Sequence, residues 1–231
     1  MSPLASAGRR VTLLLAVAVL LAGCGGPKAE QAAVALPPLV PAAAPAIPAP
    51  LTDEGLDLRA GPVAVPLELR IPSLSITTPV IGVGITPKDV MDAPMGPAGD
   101  PVWQQAFWYR GSAVPGELST ALIAGHVGGP KGSSAVFADL ERLRPGDPIV
   151  VRDTRTGLDV RFSVTGAKSY TLAEAAEPAV LTEMYGAGPV NGTLPQPSAD
   201  GLSHLTLVTC TGTFVGGTHD HRLVVSATRV A

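Results

Sequence analysis

The chain is short of cysteine, of long apolar runs and of clustered charge, and each shortage removes a class of protein. Two cysteines, Cys24 and Cys210, are too few in 231 residues to build a disulfide framework. The apolar run at the N-terminus, Val11 to Ala22, falls short of the roughly 20 residues a bilayer-spanning helix requires. Lys and Arg gather into no stripe and the formal net charge is −3, so nucleic acid is not the expected partner. There are no internal repeats, no carboxylate cluster of the kind that binds calcium, and no sign of a cofactor.

What the N-terminus does contain reads as an export signal. Arg9 and Arg10 precede the apolar run, which ends in small residues, and this order describes a secretory signal peptide. Leu21–Ala22–Gly23–Cys24 also resembles a bacterial lipobox, in which Cys24 is acylated and becomes the mature N-terminus. That places the expected protein on the outer face of a membrane, anchored by lipid without spanning it. Removing residues 1–23, whose only charges are the two arginines, leaves 14 basic and 19 acidic side chains, a net of −5.

Residues 24–61 are dominated by Ala, Pro and small apolar residues, with Pro37, Pro38, Pro41, Pro45, Pro48 and Pro50 closely spaced. They show neither helical nor strand period and read as a semi-extended linker, at about 3.1 Å per residue where polyproline II forms. Residues 62–231 remain as one domain, large enough for a substantial core.

Within that domain short β-rich runs alternate with Pro and Gly turns. Leu67–Ile76, Val80–Ile85, Ala121–His126, Ile149–Arg152 and Leu158–Val164 read as strands; in the last, Leu158, Val160, Phe162 and Val164 alternate, so one face is buried. Phe137–Leu143 and Thr171–Tyr185 allow one or two short helices, the second interrupted by Pro178. Gly186–Ser203 is a long Gly/Pro loop of the kind that is often functional. Many short strands and few helices imply a mainly β fold, a closed or nearly closed barrel.

The chemistry concentrates near the C-terminus. Leu205–Cys210 is apolar and β-branched; Thr211, Gly212, Gly216 and Gly217 then break the pattern, and Arg222–Ala227 begins a second run. Joined as an antiparallel hairpin, the two runs set Cys210 at the end of one strand against Arg222 at the start of the next. Cys210 is the cysteine left without a partner once Cys24 carries lipid, and an unpaired thiol outside the cell calls for a reason. Of the four histidines, His126 stands out, delivered at the end of a buried strand among glycines.

Together these residues resemble the sortase family of cysteine transpeptidases. The resemblance rests on Thr206–Leu207–Val208–Thr209–Cys210, on Arg222–Leu223–Val224–Val225–Ser226–Ala227–Thr228 and on Ala124–Gly125–His126. Arg70–Ile71–Pro72–Ser73–Leu74–Ser75–Ile76, Phe137–Ala138–Asp139–Leu140 and Gly146–Asp147–Pro148–Ile149 extend it over nearly all of residues 67–231. It looks closest to the class E and F enzymes of high-GC Gram-positive bacteria. The resemblance implies a closed eight-stranded barrel with Cys210 as nucleophile, His126 as general acid and base, and Arg222 stabilising the oxyanion. It further implies a Thr–Gly bond in an LPxTG-like sorting signal as substrate and an amine as acceptor: a peptidoglycan precursor, a pilin lysine, or water in its place. The Gly186–Ser203 loop would help form the groove. The chain departs from the family in one respect, because sortases usually keep an uncleaved transmembrane anchor where this chain has a lipobox.

Three other readings compete. A metal-binding lipoprotein would take Cys210, His219 and His221 as ligands, but Arg222 would repel the ion, and the two histidines read more simply as a polar hairpin tip. An L,D-transpeptidase would need a Ser-His-Gly-x-x-Arg-like cluster, which Thr209–Cys210–Thr211–Gly212 does not match. A catalytically inactive sortase-like binding module would have no need for all three of His126, Cys210 and Arg222.

Overall fold

The computed structural model describes Ile47, residues 57–189 and residues 192–231. The signal-like segment, Cys24 and the Ala/Pro-rich stretch up to residue 56, apart from Ile47, lie outside the described residues. Among those described, no helix is long and apolar enough to cross a membrane.

Eight strands close into a barrel in the order β1-β2-β3-β4-β7-β8-β6-β5, with β5 returning to β1. They are β1 (Val63–Ile71), β2 (Ile76–Val83), β3 (Ala106–Tyr109), β4 (Thr120–Gly125), β5 (Pro148–Asp153), β6 (Asp159–Thr171), β7 (His204–Val215) and β8 (Thr218–Val230). Two pairings are parallel, β2 with β3 and β4 with β7; the rest are antiparallel. The mainly β closed barrel expected from the sequence is the fold observed.

Strand alternation builds the interior. Leu67, Leu69 and Ile71 from β1, Val160, Phe162 and Val164 from β6, and Leu205, Leu207, Val225 and Ala227 from β7 and β8 all point into one buried cluster. Phe137, Leu140 and Leu143, spaced as for a helix, cap this cluster, although only Leu140–Arg142 closes a 3-10 turn. Ile47 is 2% exposed in the same cluster; burying such a side chain stabilises a fold by about 1.5–3 kcal/mol.

A second apolar layer covers the outside of the barrel. The short helices α1 (Leu172–Ala175) and α2 (Pro178–Tyr185) follow β6. A capping box between Thr171 and Glu174 starts α1. Pro178, expected to interrupt a single helix, instead occupies the first turn of α2, where its missing N–H has no partner to lose. Ala175, Val180 and Met184 pack on Leu122 of β4 and Val224 of β8, which explains why nearly every residue of β4 is buried: both of its faces are covered. Tyr170 donates a hydrogen bond to Glu183 at 2.6 Å, tying α2 back to β6.

Asp153 supplies a direct test of the β5–β6 turn. Its carboxylate is fully buried and accepts from Arg155 through the backbone N–H at 2.8 Å, Nε at 3.1 Å and Nη2 at 2.9 Å. The side-chain hydrogen bond from Arg155 holds its pKa below the usual carboxylate range. A lowered native pKa favours the folded state above the ordinary ionisation near pH 4, and that contribution is lost as pH falls through the native value. Asp153→Asn is therefore expected to be less stable than wild type at neutral pH, with the gap closing below about pH 4, as read from urea unfolding across that range.

Candidate active site

Register decides which way the reactive side chains point. Leu205 and Leu207 of β7 face the barrel interior, whereas Val208 joins the outer layer beneath the helices. With a two-residue period, Cys210 lies on the outer face with Val208. On β8, Leu223 and Val225 point inward and Val224 outward, so Arg222 takes the outer face too. Cys210 and Arg222 are direct partners across the antiparallel pair. The hairpin itself is longer than the sequence suggested. β7 continues through Thr211 to Val215 and turns at Gly216–Gly217, so the register shift between Thr211 and Phe214 absorbs the glycine that had looked like a strand end.

His126 reaches the same place from β4. The parallel pairing of β4 with β7 ends at Ala124 and Val208, and two further residues along each chain are His126 and Cys210. Between them the Thr209 hydroxyl, on the inward face, donates to the Gly125 carbonyl at 2.8 Å in a buried bond that locks the strand ends together. The Phe137 amide donates to the His126 carbonyl at 2.9 Å, so the Phe137–Leu140 segment fixes the histidine backbone. Gly125 is required by close approach: a Cβ there would lie 2.7 Å from both the Phe137 ring and Val136.

The imidazole is held on three sides. Its Nε2 lies 2.9 Å from the Pro94 carbonyl; a carbonyl only accepts, so Nε2 carries the proton and Nδ1 is the free nitrogen of the neutral ring. Trp103 stacks obliquely on it at 4.7 Å between centroids, and Phe107 meets it edge-on at 5.2 Å. Arg222 donates from Nη1 to the carbonyls of His219 at 3.3 Å and His221 at 3.0 Å, while its Nε and Nη2 make no hydrogen bond with the described residues. Cys210 is a free, partly exposed thiol.

His126, Cys210 and Arg222 share a cavity of about 520 Å³, a volume typical of small-ligand sites. Leu172, Ala175, Met184 and Tyr185 of the helices form one wall; Val90–Ala93 from the β2–β3 connection form the other. A smaller recess of about 280 Å³ is lined by Asp89, Tyr109 and Pro189, and the two share Val90, Met91, Leu181 and Tyr185. Burial pushes the Tyr185 hydroxyl up to about 12, so it stays protonated at neutral pH.

The sequence indicated His126, Cys210 and Arg222, and the fold brings all three together. It did not indicate Pro94, Trp103, Phe107 or the Val90–Ala93 wall. One signal was available: Asp100–Pro101 is a helix start, and the Asp100 carboxylate does accept from Val102 N at 2.9 Å ahead of the 3-10 turn that presents Trp103. Of the Gly186–Ser203 loop, Pro189 lines the smaller recess. The other histidines are spent elsewhere. His204 bonds to Asp200 and Thr228, His221 to Asp220, and His219 to the Gly212 carbonyl. Among the described residues no three His, Cys, Asp or Glu side chains converge as metal ligands.

Comparison with known proteins gives one consistent result. The family model of the sortase domain matches residues 69–230. Among solved structures, sortase A from Corynebacterium diphtheriae aligns at 20% identity and TM-score 0.47, over 73% of this chain and 61% of that one. Sortase C1 from Streptococcus agalactiae aligns at 21% identity and TM-score 0.48, over 71% and 66%. A Clostridium perfringens sortase D5 transpeptidase aligns at 16% identity and TM-score 0.46, over 71% and 78%. The chain thus spans less than two thirds of the first two. No curated protein matches the sequence.

The packing around Gly125 yields an expectation independent of activity. Gly125→Ala should lower stability by about 1–3 kcal/mol, the usual cost of overpacking, and Trp103 emission should change as the neighbouring histidine is displaced. Chemical unfolding followed by fluorescence reads both.

Proposed function

The chain belongs to the sortase family, and on that premise we propose that it is a cysteine transpeptidase acting on an LPxTG-like sorting signal. The observation that carries this reading is the shared cavity: the Cys210 thiol faces outward beside Arg222, with His126 at the end of the adjoining strand. In the proposed cycle the Cys210 thiol gives its proton to Nδ1 of His126, and the resulting thiolate attacks the Thr carbonyl carbon of the Thr–Gly bond. The oxyanion that forms accepts hydrogen bonds from the Arg222 Nε and Nη2 donors, which make none with the described residues. His126, protonated at Nδ1, gives that proton to the departing glycine amine, leaving a thioacyl enzyme. An incoming amine then loses a proton to Nδ1, attacks the thioester carbonyl and releases the thiolate. Nε2–H remains on the Pro94 carbonyl throughout, so the ring keeps its orientation while the other nitrogen exchanges protons.

The acceptor amine is a peptidoglycan precursor or a pilin lysine, with water giving hydrolysis instead. Anchoring through an acylated Cys24, with the Ala/Pro-rich residues that follow it as spacer, would hold the domain at the outer face of the membrane. The family's more usual spanning helix is replaced in this reading by lipid.

Two expectations follow from these roles. Incubation with LPxTG-type peptides and an amine should yield a transfer product by mass spectrometry. Cys210→Ala should abolish it, His126→Ala should slow it about 10²–10⁴-fold, and Arg222→Ala about 10²–10³-fold. Failure of every peptide with folded, reduced protein would refute the reading, and a biological role that survives Cys210→Ala would favour a binding module. For the anchor, Cys24→Ala should move the protein from the membrane to the soluble fraction of its host and remove the acyl mass.

A further inference from the structure

The root of the N-terminal segment is attached to the active-site wall. The Leu58 carbonyl accepts from Ile85 N at 2.9 Å, and Arg59 donates to the Thr86 carbonyl at 3.3 Å and pairs with Asp89. Arg110, at the end of β3, gathers the same segment from beneath, donating to the carbonyls of Asp57 at 3.3 Å, Leu58 at 3.4 Å and Gly61 at 2.8 Å. Contact is so close at Gly84 that a Cβ there would fall 1.6 Å from the Leu58 oxygen. Residues 57–61 thus lie on the β2–β3 connection as a strap.

That connection is itself a small hairpin. Asp92 N donates to the Gly84 carbonyl at 2.9 Å, Thr86 N to the Val90 carbonyl at 2.8 Å, and Ile85 pairs with Met91. The strap holds the inner arm, Gly84–Thr86; the outer arm, Val90–Ala93, is the wall of the catalytic cavity. The next residue, Pro94, supplies the carbonyl that holds His126. Asp89, at the tip, sits at φ 57°, a conformation an aspartate tolerates better than most residues, and its carboxylate is the one Arg59 holds. Arg110 also feels the charges of both Asp57 in the strap and Asp92 in the wall. One path of contacts therefore runs from the N-terminal segment to the His126 imidazole.

We propose that Asp57–Gly61 is a positioning strap: by bracing the Gly84–Pro94 hairpin through Leu58, Arg59 and Arg110, it holds the cavity wall and the His126 ring in their working places. The role in catalysis rests on the transpeptidase reading; the hold on the hairpin does not. Arg59 and Asp89 are 49% and 72% exposed, so their pair contributes little to global stability, and its loss should act locally.

The test uses the full chain in detergent, comparing Arg59→Ala, Arg59→Lys and Gly84→Ala with wild type by hydrogen exchange, thermal unfolding and peptide turnover. In Arg59→Ala the amides of Ile85, Thr86 and Asp92 should exchange at least several-fold faster, with barrel strands and melting temperature unchanged. Turnover should fall several-fold, mainly in kcat, and Arg59→Lys should restore both. Gly84→Ala, which drives off the Leu58 carbonyl, should reproduce the pattern more strongly. Unchanged exchange across Gly84–Pro94 in both Ala variants would overturn the proposal, as would a loosened hairpin with undiminished kcat. Absence of turnover even in wild type would refute the transpeptidase reading, and the exchange data would then decide the strap on its own.

Discussion

Everything in the candidate site depends on the pairing of β7 with its two neighbours. The register that sets Cys210 opposite Arg222 is fixed by the alternation of Leu205, Leu207, Leu223 and Val225 into the barrel. A slip of one residue would bury the thiol and expose leucines. The buried bond from Thr209 to the Gly125 carbonyl then ties this pair to β4, so the same core packing that closes the barrel also brings His126 to the cysteine. Barrel stability and the geometry of the site are in this sense one constraint, imposed by apolar side chains of the core.

The cavity is built differently from the barrel that supports it. Its floor is rigid sheet, but its walls are irregular: two short helices on one side, and a hairpin stitched by a few backbone bonds on the other. A wall of that kind has few buried contacts of its own and draws its order from whatever it leans on. The helices lean on Leu122 and Val224 and are tied by the Tyr170–Glu183 bond; the hairpin leans on Asp57–Gly61 and Arg110. A chain tethered at its N-terminus would thus have the tether's root next to His126.

The barrel was legible because its strands announce themselves locally. Alternation in Leu158–Val164 and the β-branched run before Cys210 are period-2 patterns, and the Cys210–Arg222 facing follows from joining two such runs as a hairpin. What escaped lacks any period. β3 is only four residues, all buried, too short and too uniformly apolar for alternation to show. The continuation of β7 past Gly212 was hidden by glycine, which signals a break but is also at home in a strand's register shift. Pro178 looked like an interruption when its place is the first turn of a helix. The hold of Pro94 on His126 is a backbone carbonyl thirty-two residues away, to which the side chain of residue 94 gives no clue.

The most direct test of the central claim, that Cys210, His126 and Arg222 act on one peptide in one groove, is a structure of the protein alkylated by an LPxT-type chloromethyl ketone. The expected result is a thioether at Cys210, with the peptide lying between the helical wall and Val90–Ala93. Its ketone oxygen should then be within hydrogen-bond reach of Arg222. A peptide bound on another face, or a thioether at Cys210 with the chain leaving the cavity and Arg222 untouched, would contradict it.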